Sequence, residues 1–540
     1  MKKAVIALFL IVFAVYGPSL PNQFLWDDEE AIVQNPLIHS LANLPKFWTG
    51  GIFNSHGSGL SGGFYRPVTT TAMASLWAVS HDPWIFRLFQ ISTHAATAVL
   101  LFFFLRTWFS LWPAFIGSAL FAIHPGISEA VLWISTIADP LSAVFLLSSL
   151  LLVPGHMKYA ALLFFLALLT KEGTAVFLPV FFLLPHTISR RKTALWLITA
   201  AALYGTMRIL AVGIGTSSLA FPSPIAQANL VQRLLTIPSE ILFYLQTFFW
   251  PFSLSISRHF VITSLSNVKF WESLLLIGAL IVCMAKLRSR TLAFFSLWFF
   301  LGIIPYMQFI PLSATVAERW LYLPSIGLIG VILSLLPKIK KYTSPARVTI
   351  AALLLVLGAT TIIRSRQWQN GLTLFSHDTS ISPDSFDLTN NYGVEIFRTG
   401  DIGAARQAFD RSIKLNPTWW VAYNNAGAVW ERLGDTAKAE ALYRTSTERA
   451  SYYLAYENLA KLLLFQKKNR KDAQQTAARG LRQFPTSVNL WLVYTIASYE
   501  LGERKEAVAA ARRLYTIAPG DQTAAVLSRI TNDLPLEFTK

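Results

Sequence analysis

Ser385–Pro417 reads SFDLTNNYGVEIFRTGDIGAARQAFDRSIKLNP, and Trp419–Ser451 reads WWVAYNNAGAVWERLGDTAKAEALYRTSTERAS. Laid over each other at a spacing of 34, Asn390-Asn391 falls on Asn424-Asn425, Gly393 on Gly427, Gly400 on Gly434, Ala405 on Ala439 and Phe409 on Tyr443. The alanine series continues at Ala473 and Ala507. The glycine series skips once and returns at Gly502. Pro417 returns at Pro485 and Pro519, with Ser451 breaking the run. A 34-residue period is the signature of tetratricopeptide (TPR) repeats. Small residues let paired helices approach, aromatics fill the gaps, and proline ends the second helix of a pair. The spacing predicts an α-solenoid of four helix pairs over 385–519, with one unpaired helix before it and a capping helix near 520–532. Such a stack has a concave face suited to an extended peptide. Asn390, Asn391, Trp420, Asn424 and Asn425 are candidates to line it, although the same positions also serve packing.

Upstream, the composition changes. Of 540 residues, 54% are hydrophobic and 14% charged, against about 25% charged in a soluble domain. Up to Arg364 there are 24 Lys/Arg and 11 Asp/Glu, a net +13; from Ser365 onward there are 22 and 18, a net +4. The division predicts an acid-poor membrane domain over 1–364 and a water-soluble repeat domain over 365–540. Basic loops orient membrane proteins, so the charge calls for a bilayer and not for nucleic acid. Cys283 is the only cysteine, which excludes a disulfide framework and a thiolate zinc site.

Apolar runs long enough to cross a bilayer lie near 85–105, 111–128, 139–153, 193–213, 272–287, 291–307, 321–337 and 346–363. The stretch 157–187, interrupted by Lys171-Glu172-Gly173, suits two short helices. Met1-Lys2-Lys3 and the apolar run after them read as an uncleaved first helix entering from the cytoplasm. The sum is an all-α polytopic bundle of about 11 spans. The segment 237–253 is apolar enough to be a twelfth, but that would put Lys286, Arg288 and Arg290 outside, so it reads as re-entrant or interfacial. With this threading all eleven acids of the membrane domain face outward. An odd number of spans places the repeats in the periplasm of a bacterial inner membrane, or in the ER lumen of a eukaryote.

The outward acids form a pattern. The first outer loop begins WDDEEAIVQNP at Trp26 and continues through the glycine-rich Gly57–Gly63 to Phe64-Tyr65-Arg66-Pro67. The second is HPGISEAVLWISTIADP, with His124, Glu129 and Asp139. Lys171-Glu172 and Glu318-Arg319 complete the set. Each pair alone reads as an ordinary helix-end ion pair. Together they place carboxylates beside cations at the membrane edge, where ionisable residues are functional candidates. A carboxylate serves as a base for a hydroxyl nucleophile. Cations, or a divalent ion held by Asp27, Asp28, Glu129 and Asp139, would stabilise a leaving phosphate. Arg66, Lys171 and Arg319 are the candidate phosphate ligands, with Glu29, Tyr65, His124, Glu172 and Glu318 in support.

In order, WDDEEAIVQNP, FYRPV, HPGISEAVLWISTIADPL, LLTKEG, AERWLYLPSIG and the repeats resemble the transmembrane and TPR repeat-containing proteins, a family of GT-C-type glycosyltransferases with bacterial relatives. The resemblance implies transfer of a sugar, mannose in the eukaryotic case, from a polyprenyl phosphate to a protein Ser/Thr hydroxyl, with inversion. It maps the family's Asp-Glu pair onto Asp28-Glu29, with Asp27 adjacent, and the second-loop acids onto Glu129 and Asp139. On that mapping Asp28 is the expected base. The repeat array is short for the animal members. Two rivals stand beside this reading. One is an O-antigen-ligase-like oligosaccharyltransferase using Arg233, Arg258 and His259. The other is a membrane-anchored repeat scaffold with no activity.

Overall fold

The computed structural model describes residues 1–51, 64–184, 190–214, 222–336 and 344–535. The glycine-rich Gly57–Gly63 and the basic Lys338, Lys340 and Lys341 lie outside them. The chain forms two units, one running to Pro383 and one beginning at Asp384. Every regular element among the described residues is helical, and a lone antiparallel bridge joins Arg258 to Val316.

In the first unit helices occupy all eleven apolar stretches. They are α1 (Lys2–Tyr16), α3 (Pro83–Arg106), α4 (Leu111–Ile123), α5 (Ala138–Leu152), α6 (Met157–Thr170), the short turn-helix Glu172–Leu183, α7 (Arg190–Val212), α9 (Val268–Lys286), α10 (Arg290–Ile303), α11 (Tyr322–Leu335) and α12 (Ser344–Gln367). By length and composition, six described helices can cross a bilayer unaided. The chain is a multi-pass membrane protein. In α1, Leu8, Val12, Val15 and Tyr16 are buried while Ile6, Phe9 and Leu10 are exposed. A helix apolar on both its packed and its open face belongs in lipid. α10 and α11 pack so closely that a Cβ on Gly327 would meet the Phe299 amide nitrogen at 2.5 Å; small residues permit such contact between membrane helices.

Three helices add to this framework. α2 (Pro67–Val79) follows the first long loop, in a stretch of threonines and alanines without a clear helical period, and Thr69 Oγ1 pins it to the Thr170 carbonyl at 2.8 Å. α8 (Leu230–Phe249) takes in the ambiguous 237–253 segment as far as Phe249 and is not among the six long apolar helices. α13 (Gly371–Ile381) follows α12 and belongs to the membrane unit. Asp378 on α13 takes both Nη atoms of Arg364 on α12, at 2.6 and 3.0 Å. That buried pair carries the compact unit past the charge boundary at 364/365.

In the second unit the pairs are α14 (Phe386–Thr399) with α15 (Ile402–Leu415), α16 (Trp420–Arg432) with α17 (Thr436–Arg449), α18 (Tyr453–Lys461) with α19 (Arg470–Gln483), and α20 (Val488–Glu500) with α21 (Arg504–Ile517). α22 (Asp521–Thr531) caps the stack. Gly393 faces the Phe409 ring and Gly427 the Tyr443 ring so closely that a Cβ would clash. Gly400, Gly434 and Gly502 close the first helix of their pairs at φ 92°, 83° and 80°. The skipped position is Lys468, and it takes φ 52° as well. The turn is therefore kept where the sequence lost its glycine.

Candidate functional site

The site begins with an arginine inside an apolar helix. Arg87 of α3 is fully buried. Its guanidinium donates to the Asn22 carbonyl at 3.0 Å, the Gln23 carbonyl at 2.5 Å and the Leu132 carbonyl at 2.6 Å. One turn on, Gln90 donates to the carbonyls of Ala130 and Trp133, both at 2.8 Å. Two residues of one helix thus fasten the two predicted acidic loops together. The sequence reading passed over Arg87, although a lone charge in a spanning segment was the available signal.

Asp28 is buried completely. Its Oδ2 accepts from the Leu25 amide at 3.1 Å, and its Oδ1 accepts from the Ser135 amide and hydroxyl at 2.8 and 2.5 Å. The two Ser135 bonds cross-link the loops, and the Leu25 bond holds the turn of the first. Burial raises Asp28 to about 6, with the Ser135 and Leu25 bonds and the Arg87 charge opposing it. Asp27 differs. It is partly exposed and makes no hydrogen bond among the described residues. Burial raises it to about 7, helped by Glu30 and Asp28 and opposed by Arg319. Trp26 before it sits at φ 57°, in the left-handed region that a bulky residue avoids. Its ring stacks on Trp133 at 4.6 Å, which holds the backbone there. Glu29 opens a π-helical turn through Val33, a distortion frequent at functional sites.

The other predicted residues come together in pairs. Glu129 is fully buried; its Oε2 accepts from the Arg319 amide at 2.7 Å and its Oε1 from Arg319 Nη1 at 2.5 Å. The Arg319 guanidinium lies between the Trp133 ring at 4.9 Å and the Trp320 ring at 5.4 Å. Trp320 stacks on Tyr306 at 4.8 Å, and Lys171 lies 5.8 Å from Tyr306 on a line to Asp139, which it meets at 2.5 Å. Asp139, Lys171, Tyr306 and Trp320 line a common small cavity with Gly173 and Gly302. Arg66 clasps Glu172 with two bonds, at 2.8 and 2.5 Å. Tyr65 braces the loop by donating to the Trp48 carbonyl at 2.9 Å.

Two predicted residues serve elsewhere. Glu318 does not pair with Arg319; its Oε1 accepts from the Ser255 amide at 2.5 Å. His124 accepts from the Gly126 amide on Nδ1, so Nε2 carries the proton and donates to the Phe248 carbonyl at 2.9 Å. Its ring stacks on Phe248 at 4.5 Å, clamping α8 to the second loop. The residues of the oligosaccharyltransferase rival serve local structure: Arg233 donates to the Gln308 carbonyl, Arg258 to that of Ser253, and His259 meets the Ser257 hydroxyl.

A divalent ion would need several free carboxylates around one point. Here Asp28 is bound to amides and a hydroxyl, Glu129 to Arg319 and Asp139 to Lys171. No group of three His, Cys, Asp or Glu among the described residues suits a metal. The acids do not form a ligand set.

In the repeat unit the predicted asparagines bond to one another. Asn458 donates to Asn424 at 3.0 Å, Asn424 to Asn425 at 3.2 Å, Asn425 to Asn390 at 2.9 Å, and Asn390 to Asn391 at 3.3 Å. Trp420 packs beside Phe386 and Trp419.

No family model matches the chain. It is similar to protein O-mannosyl-transferases of the TMTC family. It is 28% identical over 447 residues to protein O-mannosyl-transferase F38B6.6 of Caenorhabditis elegans, covering 76% of this chain and 63% of that protein. It is 23% identical to protein O-mannosyl-transferase TMTC3 of Mus musculus, covering 82% and 54%, and 23% identical to its Homo sapiens counterpart, covering 80% and 53%. The chain therefore spans between about half and under two thirds of these relatives' length. Among solved structures, the TPR protein YrrB aligns over 29% of this chain and 82% of its own at 13% identity and TM-score 0.27. Yeast Tom70 aligns over 82% of this chain and 95% of its own at 13% identity and TM-score 0.28.

Proposed function

We propose that this chain is a GT-C-type glycosyltransferase. It transfers a sugar, mannose by analogy with its relatives, from a polyprenyl phosphate to a Ser/Thr hydroxyl of a protein on the non-cytoplasmic side of the membrane. The bacterial inner membrane, with the repeats in the periplasm, is the setting that the motifs favour. The observation that carries the reading is the contrast within the dyad. Asp28 is spent on holding two loops together, while Asp27 is unbonded, partly exposed and beside Arg319. Asp27 is therefore the base in preference to Asp28.

The step is a single displacement. The acceptor oxygen attacks the anomeric carbon while Asp27 takes its proton. The bond from that carbon to the phosphate oxygen breaks, and the lipid phosphate leaves with the electron pair. Attack opposite the leaving group inverts the carbon. Arg319 has one edge bound to Glu129 and its faces covered by Trp133 and Trp320, so its remaining N–H groups are pre-aimed donors for the departing charge. Lys171 and Arg66 are held by Asp139 and Glu172 at the same end of the site. The repeat unit carries the acceptor chain, although Asn390 and Asn424 are buried and the predicted asparagines bond to one another. Protein purified into lipid nanodiscs, given polyprenyl-phosphate mannose and a Ser/Thr-rich peptide, should produce mannosylated peptide, and Asp27→Asn should not. Equal turnover by that variant would remove the base from this assignment.

A further inference from the structure

α8 is amphipathic in the wrong sense for water. Thr236, Glu240, Tyr244 and Thr247 face inward at helical spacing, while Leu230, Val231, Leu234 and Phe249 are exposed. Its C-terminal end is fixed against the second loop by the His124–Phe248 clamp. Gly126 packs so tightly there that a Cβ would meet the Thr247 carbonyl at 2.8 Å. The inward stripe therefore forms one wall beside the Glu129–Arg319 pair. Thr236 is satisfied, since it donates to the Gln232 carbonyl and accepts from the Ile262 amide.

Glu240 and Tyr244 are not satisfied. Both are fully buried, and among the described residues neither Glu240 oxygen has a hydrogen-bond partner. The Ala317 amide donates to the Tyr244 hydroxyl, whose own proton has no acceptor among the described residues, and Glu240, Tyr306 and Arg319 lie within electrostatic reach. An orphaned buried carboxyl is among the costliest features a fold retains, so a missing partner is the natural explanation. Among the described residues no cation bears on Glu240, and burial alone acts on it. Two carboxyl oxygens and a phenol, without a counter-charge, suit a neutral ligand rich in O–H donors.

We infer that Glu240 and Tyr244 are the receptor for the ring hydroxyls of the donor sugar. The inference rests on the reading above, in which Arg319 receives the phosphate. The group bonded to that phosphate is the sugar, and Tyr244 of this polar stripe lies within electrostatic reach of Arg319. Donating ligand hydroxyls favour the ionised form, whose carboxylate accepts two of them in parallel, and the Tyr244 hydroxyl completes the set. These side chains would then distinguish one hexose from another.

The test uses full-length protein in nanodiscs and two probes, undecaprenyl-phosphate mannose and undecaprenyl phosphate. Wild type should bind the mannose lipid at least about tenfold more tightly than the bare lipid, the worth of one or two well-made hydrogen bonds. Glu240→Gln should remove most of that preference and Tyr244→Phe part of it, with bare-lipid affinity unchanged. In the ligand-free protein Glu240→Leu should raise the melting temperature, because it deletes an unpaired polar group. Preserved sugar preference in both binding variants, or equal loss of both lipids, would overturn the inference while leaving the donor class standing. A lower melting temperature for Glu240→Leu would mean that the carboxyl has its partner within the fold, and would also overturn it. If wild type binds neither lipid, the donor reading falls and this inference with it.

Discussion

In the repeat unit Asn425 finds Asn390 35 residues back, and Asn458 finds Asn424 34 residues back. In the membrane unit Arg66 reaches Glu172 across 106 residues, and Arg319 reaches Glu129 across 190. The first distances are the repeat period or one residue more, so partners there follow from alignment of the sequence with itself. The second have no period. The membrane unit also buries full charges, where removing one partner strands the other at a cost of about 3–5 kcal/mol, while the asparagine strip buries neutral amides. The same operation, truncating a polar side chain, should therefore have effects of different size and kind in the two units.

The largest effect is expected at Asp27. Asp27→Asn is nearly isosteric and removes the base, so turnover should fall by about 10²–10⁴-fold with donor binding little changed and no loss of melting temperature. Asp28→Asn should do the reverse in kind. It replaces a carboxylate that accepts three bonds, so the melting temperature should fall before turnover per folded molecule does. Paired measurements of unfolding and single-turnover rate separate the two. If Asp28→Asn abolishes single-turnover chemistry in a normally folded protein, the roles are exchanged.

The pH profile sharpens the same point. Burial raises Asp27 to about 7, and a base works only when deprotonated. kcat/KM should therefore climb with pH through about 7 and then level off. A climb centred near 4, the ordinary carboxylate range, would point to a solvated acid instead. The linkage sign is opposite for stability: an acid whose folded pKa is raised costs the fold some stability once pH passes its unfolded value. Asp27→Asn should recover that loss at pH 8.

Arg87 comes next. Arg87→Lys keeps a charge but cannot span the carbonyls of Asn22, Gln23 and Leu132 together. Loss of two charge-assisted bonds is worth about 3 kcal/mol or more, read as a lower melting temperature and as faster proteolysis of the 20–40 loop. Arg319→Lys should leave the fold closer to intact, since Glu129 keeps a cation. It loses the planar fork and its place between Trp133 and Trp320, and donor affinity should fall by roughly tenfold. Unchanged affinity in Arg319→Lys and Arg319→Ala alike would make Arg319 only the partner of Glu129.

These sites mark how far the sequence could be read. Composition and apolar runs located eleven helical stretches, six of them long and apolar enough to cross a bilayer, and the period located four helix pairs. Which acid meets which cation was not legible, because Glu318 and Arg319 are adjacent yet turn to different partners, Ser255 and Glu129. Asp27 and Asp28 look alike in sequence and differ only in what Ser135 and Leu25 bring to one of them. α2 was missed because threonines and alanines give no clear period. The inward polar stripe of α8 was hidden because its outward face is apolar, which reads as a spanning or interfacial segment without saying which face packs.

The smallest effect, and the cleanest test of the periodic unit, is at Lys468. Gly400, Gly434 and Gly502 take positive φ at the end of the first helix of a pair, and Lys468 holds the equivalent place at φ 52°. A left-handed conformation costs a residue with a Cβ roughly 1–2 kcal/mol, and glycine avoids that cost while losing more entropy on folding. The balance favours Lys468→Gly by about 1 kcal/mol or less, seen as a modest rise in the denaturant midpoint of the repeat unit. The other three positions supply the control, because Gly434→Lys should lower the midpoint by a similar amount. If both changes destabilise, the Lys468 side chain makes a compensating contact and the four turns are not equivalent. If Lys468→Gly stabilises and Gly434→Lys destabilises, the four turns obey one rule, and the lysine is a tolerated departure from a period that the backbone still keeps.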